Sequence, residues 1–217
     1  MAYDLEEQEQ IASLKAFWNK FGNLITWAAI IILGSYAAYN YWNYYQRNTA
    51  AEASGLYEEM QKSLSAKDNT KVQRIATDIE SKYARSAYAQ MSALAAAKSA
   101  FDANDMKTAK ARLQWVVEHG SDEYQSVARL RLAGVLLDEK AYDEALKTLG
   151  GEVLPQFAGA VADRKGDVLV AQNKVAEART AYQAALDAMA KNDPARQLVQ
   201  LKLEAIGGTA ATPKAAA

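Results

Sequence analysis

The side chains that could do acid-base or metal chemistry are few, and none of them converge. The chain holds one histidine and no cysteine. The lack of cysteine excludes disulfides, thiol catalysis and thiolate metal sites, and leaves the redox compartment open. His119 precedes Gly120 at the end of a helical pattern, where an imidazole meets the helix dipole favourably. A lone imidazole argues against a zinc site. The pairs Glu58-Glu59, Asp122-Glu123 and Asp143-Glu144 are neighbours in sequence, so on a helix their carboxylates diverge by about 100°. They read as solvated faces and helix starts. Lys107, Lys110 and Arg112 form a basic cluster without interleaved aromatics, which reads as solvated surface. No glycine-rich loop follows a strand, because no segment reads as a strand. The expectation is a protein without catalytic residues, metal or cofactor.

What remains is chemistry of contact, and that depends on how helices are stacked. Beyond Tyr45 alanine is abundant and β-branched residues are sparse, which favours helix throughout. The same part carries 23 basic and 22 acidic residues, so no net field draws it to nucleic acid or acidic lipid. Apolar periodicity predicts helices over 47–66, 71–83, 88–103, 106–119, 124–137, 142–149, 157–172 and 175–189. A last helix is expected over 195–206, started by Asn192-Asp193-Pro194 and closed by Gly207-Gly208. Ser121-Asp122 reads as an N-cap and Gly150-Gly151 as a stop. Thr209 to Ala217 is small and polar, and is expected to be disordered.

The hairpins are self-similar. Ala109, Ala145 and Ala178 align in the second helices, and Ala97, Ala133 and Gly166 stand twelve residues before them. Leu113, Leu149 and Tyr182 follow four residues after. A repeat near 34 residues with small residues facing across each pair is the tetratricopeptide pattern. Ala76 hints at a degenerate first unit, weakened by Leu64 and Glu80 at its other key positions. The expected fold is all-α: a tetratricopeptide-like solenoid of three to four hairpins with a C-terminal capping helix.

In such a solenoid the first helices line a concave groove. Register places Met91, Leu94, Lys98 and Phe101 there from one unit, and Val127, Leu130, Gly134 and Leu137 from the next. The third supplies Ala160, Asp163, Asp167 and Val170. These positions lack the Lys, Arg and Asn cluster of a carboxylate clamp and suit an apolar polypeptide segment. The open alternative is that they are core, covered by the helix over 195–206.

Ahead of the repeats, Phe21 to Gln46 contains no Asp, Glu, Lys or Arg. Leu24 to Leu33 is apolar apart from Thr26. A helix of this length rises about 30 Å, the hydrocarbon thickness of a bilayer. Trp18, Phe21 and Trp27 on one side and Tyr41 and Trp42 on the other are candidate membrane-interface residues. Asp4, Glu6, Glu7 and Glu9 make the start acidic, and Ile11, Leu14, Trp18 and Phe21 then recur at helical steps. This predicts a short amphipathic helix along the membrane surface, serving either as a tilt anchor or as a docking surface. The net-negative start and the bulky aromatics after the span predict an uncleaved anchor. Lys15 and Lys20 before the span are matched by Arg47 and Lys62 after it, so charge alone leaves the orientation undecided.

The ordered set of segments resembles the YfgM family, the ancillary subunit of the bacterial SecYEG translocon. The resemblance is carried by the head from Gln10 to Gly22, the span ending in Tyr41-Trp42-Asn43, and the stretches 51–57 and 93–113. Arg129 to Ala133, Ala145 to Leu149 and Val161 to Asp167 complete it. It implies an inner-membrane protein with a cytoplasmic head over 1–22, a transmembrane helix over 23–45, and a periplasmic repeat domain over 46–208, followed by the tail over 209–217. It implies association with SecYEG and with a PpiD-type periplasmic chaperone, and a role in handing secreted client proteins from channel to chaperones. A membrane-tethered scaffold for cell-envelope assembly or signalling uses the same parts with other partners.

Overall fold

The computed structural model describes residues 2–208, with side chains from residue 7 onward. The tail over 209–217 and the side chains of Asp4 and Glu6 lie outside the described residues. Among the described residues there are nine α-helices, one short 3-10 turn and no strand. The chain divides into two compact units, Met1–Glu52 and Ala53–Ala217.

The first unit belongs to a single helix, α1 (Ala2–Ser65). The amphipathic head is the beginning of this helix and not a separate element. The sequence supplies no break, since the first proline is Pro155 and Gly22 sits against the Trp18 ring. The Phe17 and Phe21 rings pack 5.1 Å apart between centroids, tilted by 43°, with Lys20 Nζ 5.2 Å from the Phe21 ring centroid. Leu24, Ile31, Ile32 and Leu33 are each more than 60 % exposed. A core helix of a soluble protein would bury them; a helix with lipid as its solvent leaves them outward. Thr26 Oγ1 donates to the Gly22 carbonyl at 2.8 Å, which satisfies the one hydroxyl within the apolar run. By length and composition α1 is able to cross a membrane.

The second unit stacks helical hairpins. The end of α1 pairs with α2 (Asn69–Lys82), α3 (Ala87–Asp102) with α4 (Met106–His119), α5 (Asp122–Asp138) with α6 (Tyr142–Leu149), and α7 (Ala158–Ala171) with α8 (Val175–Ala188). Helix α9 (Ala195–Ala205) packs last. Each hairpin turns through one left-handed residue: Lys67, Asn104, Lys140 and Asn173, with φ between 57° and 62°. The hydrogen bonds repeat as well. Asp68 N–H donates to Ser63 O, Asp105 to Ala100, Ala141 to Leu136 and Lys174 to Leu169, a Schellman closure in each copy. The first, degenerate unit therefore makes the same turn as the other three. Asp68 and Asp105 accept from the third residue ahead and start α2 and α4. The Asp105 carboxyl is held below the usual range by its bonds from Thr108. Ser121 stands at the N-cap position of α5 without capping it through its side chain. Its N–H instead donates to Gln90 Oε1 at 2.7 Å.

Small residues sit where helices approach most closely. Ala76, Ala109, Ala133, Ala145 and Ala178 are fully buried, and Ala97 nearly so. At Gly166 the demand is strictest: a Cβ there would lie 2.4 Å from Tyr182 Cε1. The core is continuous in type along the stack. Met60, Val72, Ile75 and Ile79 fill its start, Leu113, Val116, Leu132 and Leu149 its middle, and Tyr182, Leu186, Val199 and Leu203 its end.

One expectation is corrected here. Arg112 is not solvated surface but is largely buried, its side chain 14 % exposed. Its guanidinium reaches from α4 to α2, donating to Glu80 Oε2 at 2.6 Å, Gln73 Oε1 at 3.0 Å, Gln73 O at 2.9 Å and Thr77 Oγ1 at 2.8 Å. Glu80, the residue that made the first unit look irregular, is its counter-ion. Lys110 is also engaged, with Glu139 at 2.6 Å.

Two substitutions test this packing. Gly166→Ala is expected to cost about 1–3 kcal/mol by forcing α7 and α8 apart at Tyr182, read by chemical denaturation of the full chain in mild detergent. Arg112→Ala is expected to cost about 3–5 kcal/mol at neutral pH, because it strands a buried carboxylate. Burial already pushes the Glu80 carboxyl above its ordinary value, against the pull of Arg112. A raised folded-state pKa means the fold binds a proton more readily than the unfolded chain, so stability falls as pH rises through that window. The Arg112→Ala deficit should therefore shrink on acidification; a pH-independent deficit would assign the loss to packing alone.

Candidate functional site

Helices α3, α5 and α7 enclose an open cavity of about 410 Å³. Ala97 and Leu113 with Leu130 and Val135 give it an apolar floor, and Phe101 stands half out of its edge. Its rim is charged: Lys98 and Asp102 from α3, Arg131 and Asp138 from α5, Arg164 from α7. The positions follow from helical register. Residues 98, 101 and 102 share one face of α3, and 131, 134 and 138 share one face of α5. Gly134 lies at the centre, and the absence of a side chain there leaves room above the floor. A Cβ added at Gly134 would still be 3.9 Å from the Arg164 guanidinium carbon.

The expected groove residues separate into two groups. Lys98, Phe101, Leu130 and Gly134 line the cavity together. Leu94 does not; it is 8 % exposed and belongs to the core between α3, α4 and α5. Val127 and Leu137 are half-buried and pack against that same core. Met91 is half-buried and outside the cavity lining. Arg131, Asp138 and Arg164 escape a register counted along apolar positions only. Three residues back and four ahead of Gly134 stand the first two.

In the third unit α9 takes up the two acidic groove positions, while Ala160 stays exposed. Lys202 of α9 reaches Asp163 at 2.8 Å and Asp167 at 2.8 Å. Asp167 Oδ1 also accepts from the Tyr182 hydroxyl at 2.9 Å. Burial, then that hydrogen bond and the neighbouring carboxylates, push the Tyr182 hydroxyl well above its ordinary value, so it remains a donor. Val199 and Leu203 of α9 are buried with Tyr182, Ala185 and Leu186 of α8. The groove positions thus differ between units: α9 engages Asp163 and Asp167 at the end of the stack, and the cavity in the middle is open.

Elsewhere the chemistry is structural. The His119 ring stacks on Trp115 at 4.8 Å, and Nδ1 lies 3.0 Å from the Trp115 carbonyl. Among the described residues no cluster of His, Asp and Glu is arranged to hold a metal. Trp18, Phe21, Trp27, Tyr41 and Trp42 are all exposed along α1.

A family described as a tetratricopeptide repeat-like domain matches residues 15–208. The match begins before the apolar run, so span and hairpins are recognised as one unit. A Neisseria gonorrhoeae protein named ancillary SecYEG translocon subunit is 33 % identical over 213 residues, covering 95 % of this chain and 100 % of its own. The chain belongs to the ancillary SecYEG translocon subunit (YfgM) family. An Escherichia coli member is 31 % identical over 180 residues, covering 82 % of this chain and 86 % of its own. A Haemophilus influenzae member is 28 % identical over 204 residues, 94 % of this chain and 98 % of its own. This family member thus combines one apolar helix able to span a membrane with a tetratricopeptide-like stack whose middle is open.

The contact made by α9 is testable. Lys202→Ala removes the cation that bridges Asp163 and Asp167, leaving only Arg164 at 3.7 Å from Asp167, and should raise hydrogen exchange across 195–205 while α3 to α6 stay protected. Unchanged protection of α9 would show that Val199 and Leu203 hold it without the ion pairs.

Proposed function

We propose that this protein is a non-enzymatic accessory subunit of the SecYEG translocon in the bacterial inner membrane. The observation that carries the proposal is the pairing of parts in a member of this family. An outward apolar helix long enough to span leads without a helix break into a tetratricopeptide-like stack. The stack offers an apolar cavity with a charged rim and, among the described residues, no cluster of His, Asp and Glu arranged to hold a metal. In this reading residues 1–22 form a cytoplasmic head, 23–45 the membrane span, 46–208 a periplasmic repeat domain and 209–217 a tail. The aromatic outer end of the span, around Tyr41 and Trp42, contacts the channel. The cavity around Phe101 and Leu130 takes segments of a PpiD-type chaperone or of secreted clients, and the subunit helps pass those clients from the channel to periplasmic chaperones.

The absence of native cysteine makes the topology test direct. Lys174→Cys should react with a membrane-impermeant maleimide in intact spheroplasts, and Gln8→Cys only after lysis. A photocrosslinker at Trp42 should yield adducts with channel subunits. Adducts confined to other envelope proteins, with no copurification of the channel in mild detergent, would instead support the tethered-scaffold reading.

A further inference from the structure

We infer that the open cavity selects a polypeptide segment in which an apolar side chain is accompanied by a single carboxylate, received by Arg131 and Arg164. The inference rests on the reading that the repeat domain binds polypeptide, and adds which polypeptide.

The floor asks for an apolar side chain. Ala97, Leu113, Leu130 and Val135 offer no hydrogen-bonding side chain, and Phe101 adds a half-exposed ring at the edge. A leucine-sized group placed there removes apolar surface of both partners from water.

The rim decides the charge. Lys98 and Asp102 satisfy one another, with Nζ 2.7 Å from Oδ2 and 2.9 Å from Oδ1. They are therefore neutral as a pair towards a ligand. Arg164 has a carboxylate near it, Asp167, but at 3.7 Å, beyond hydrogen-bond distance. Asp167 is already committed to the Tyr182 hydroxyl and to Lys202. Arg131 is exposed and, among the described residues, has no ion-pair or hydrogen-bond partner. Both guanidiniums flank the same gap: Arg131 is one turn before Gly134, and the Arg164 guanidinium carbon lies 3.9 Å from where a Gly134 Cβ would be. Planar guanidiniums at one opening favour a carboxylate, which each can hold through two parallel N–H bonds.

Asp138 sets the limit of this preference. It follows Arg131 by two turns on the same face, about 10 Å along the axis. A second carboxylate at that end of the segment would be repelled. The site thus suits one acid beside an apolar anchor and not an acidic run. No such preference is legible in the apolar register, which points only to the floor.

The test uses the full chain in nanodiscs of zwitterionic lipid, with protein-free nanodiscs as reference. The probe is a fluorescent peptide of leucine and alanine carrying one glutamate, compared with its glutamine and lysine counterparts. The glutamate peptide should bind about tenfold more tightly than the lysine one at low salt, with the difference shrinking as salt rises. Arg131→Gln combined with Arg164→Gln should erase the discrimination and leave weak binding of all three. Gly134→Leu should fill the space and weaken all three alike, with helix content unchanged. Equal binding of the glutamate and lysine peptides to the unaltered protein, or discrimination that survives the double substitution, would overturn the inference. So would absence of binding by every peptide. If the Trp42 crosslinks to the channel persist in any of those cases, the accessory role stands and only this assignment of the groove falls.

Discussion

Close approach between paired helices is the constraint on which the solenoid depends. It is met by having almost nothing at the contact. Ala97, Ala133 and Gly166 on the first helices and Ala109, Ala145 and Ala178 on the second are buried. A larger residue at any of them would separate two helices and, through the stack, displace the next pair. Tyr182 over Gly166 shows how far this goes: an aromatic ring fills the seam only because its partner has no side chain. The left-handed turns serve the same end. By reversing the chain in the same way at Lys67, Asn104, Lys140 and Asn173, they deliver every second helix to its first in one register.

A stack of this kind has ends, and each is secured by a buried or half-buried cation. Near the start, Arg112 ties α4 back to α2 through Glu80, Gln73 and Thr77. Near the finish, Lys202 ties α9 to Asp163 and Asp167 of α7. Buried ion pairs contribute little net stability against an apolar alternative, but breaking one partner away is costly. Their effect is to specify which helix sits where. The first contact carries the order of the stack into its most irregular unit. The second engages the acidic groove positions of the last unit and leaves the middle open. Between these two contacts lies the cavity around Gly134, where the rim charges are only partly compensated.

The helical content, the hairpin count and the apolar span were legible in the chain. Periodicity placed α2 to α9 within a few residues of where they form, while the helix expected over 47–66 is the end of α1; the small-residue register identified the contact positions. A helix able to span a membrane was readable because the uncharged stretch from Phe21 to Gln46 is long enough to match the hydrocarbon thickness of a bilayer. The exposure of Leu24 and Ile31 agrees with that reading. Legibility failed where a residue's partner lay on another helix. Arg112 reads as a surface cation until α2 supplies Glu80. Ser121 holds the N-cap position of α5 as read, but what fixes it there is Gln90 of α3, which accepts its N–H. Leu94 and Phe101 share one apolar pattern, yet one is core and the other edges the cavity.

By itself, then, the sequence determined the local and periodic properties: which segments are helical, where they turn, which faces are apolar, and that no thiol chemistry is available. Those follow from interactions within a few residues, which are the same in any context. Only the tertiary structure decided which apolar positions are covered, which charges are compensated, and where the groove remains open. Those depend on residues separated by thirty or more positions, such as Arg112 and Glu80 or Lys202 and Asp167. Stacking brings them together, and no periodicity along one helix records what the next helix will place against it.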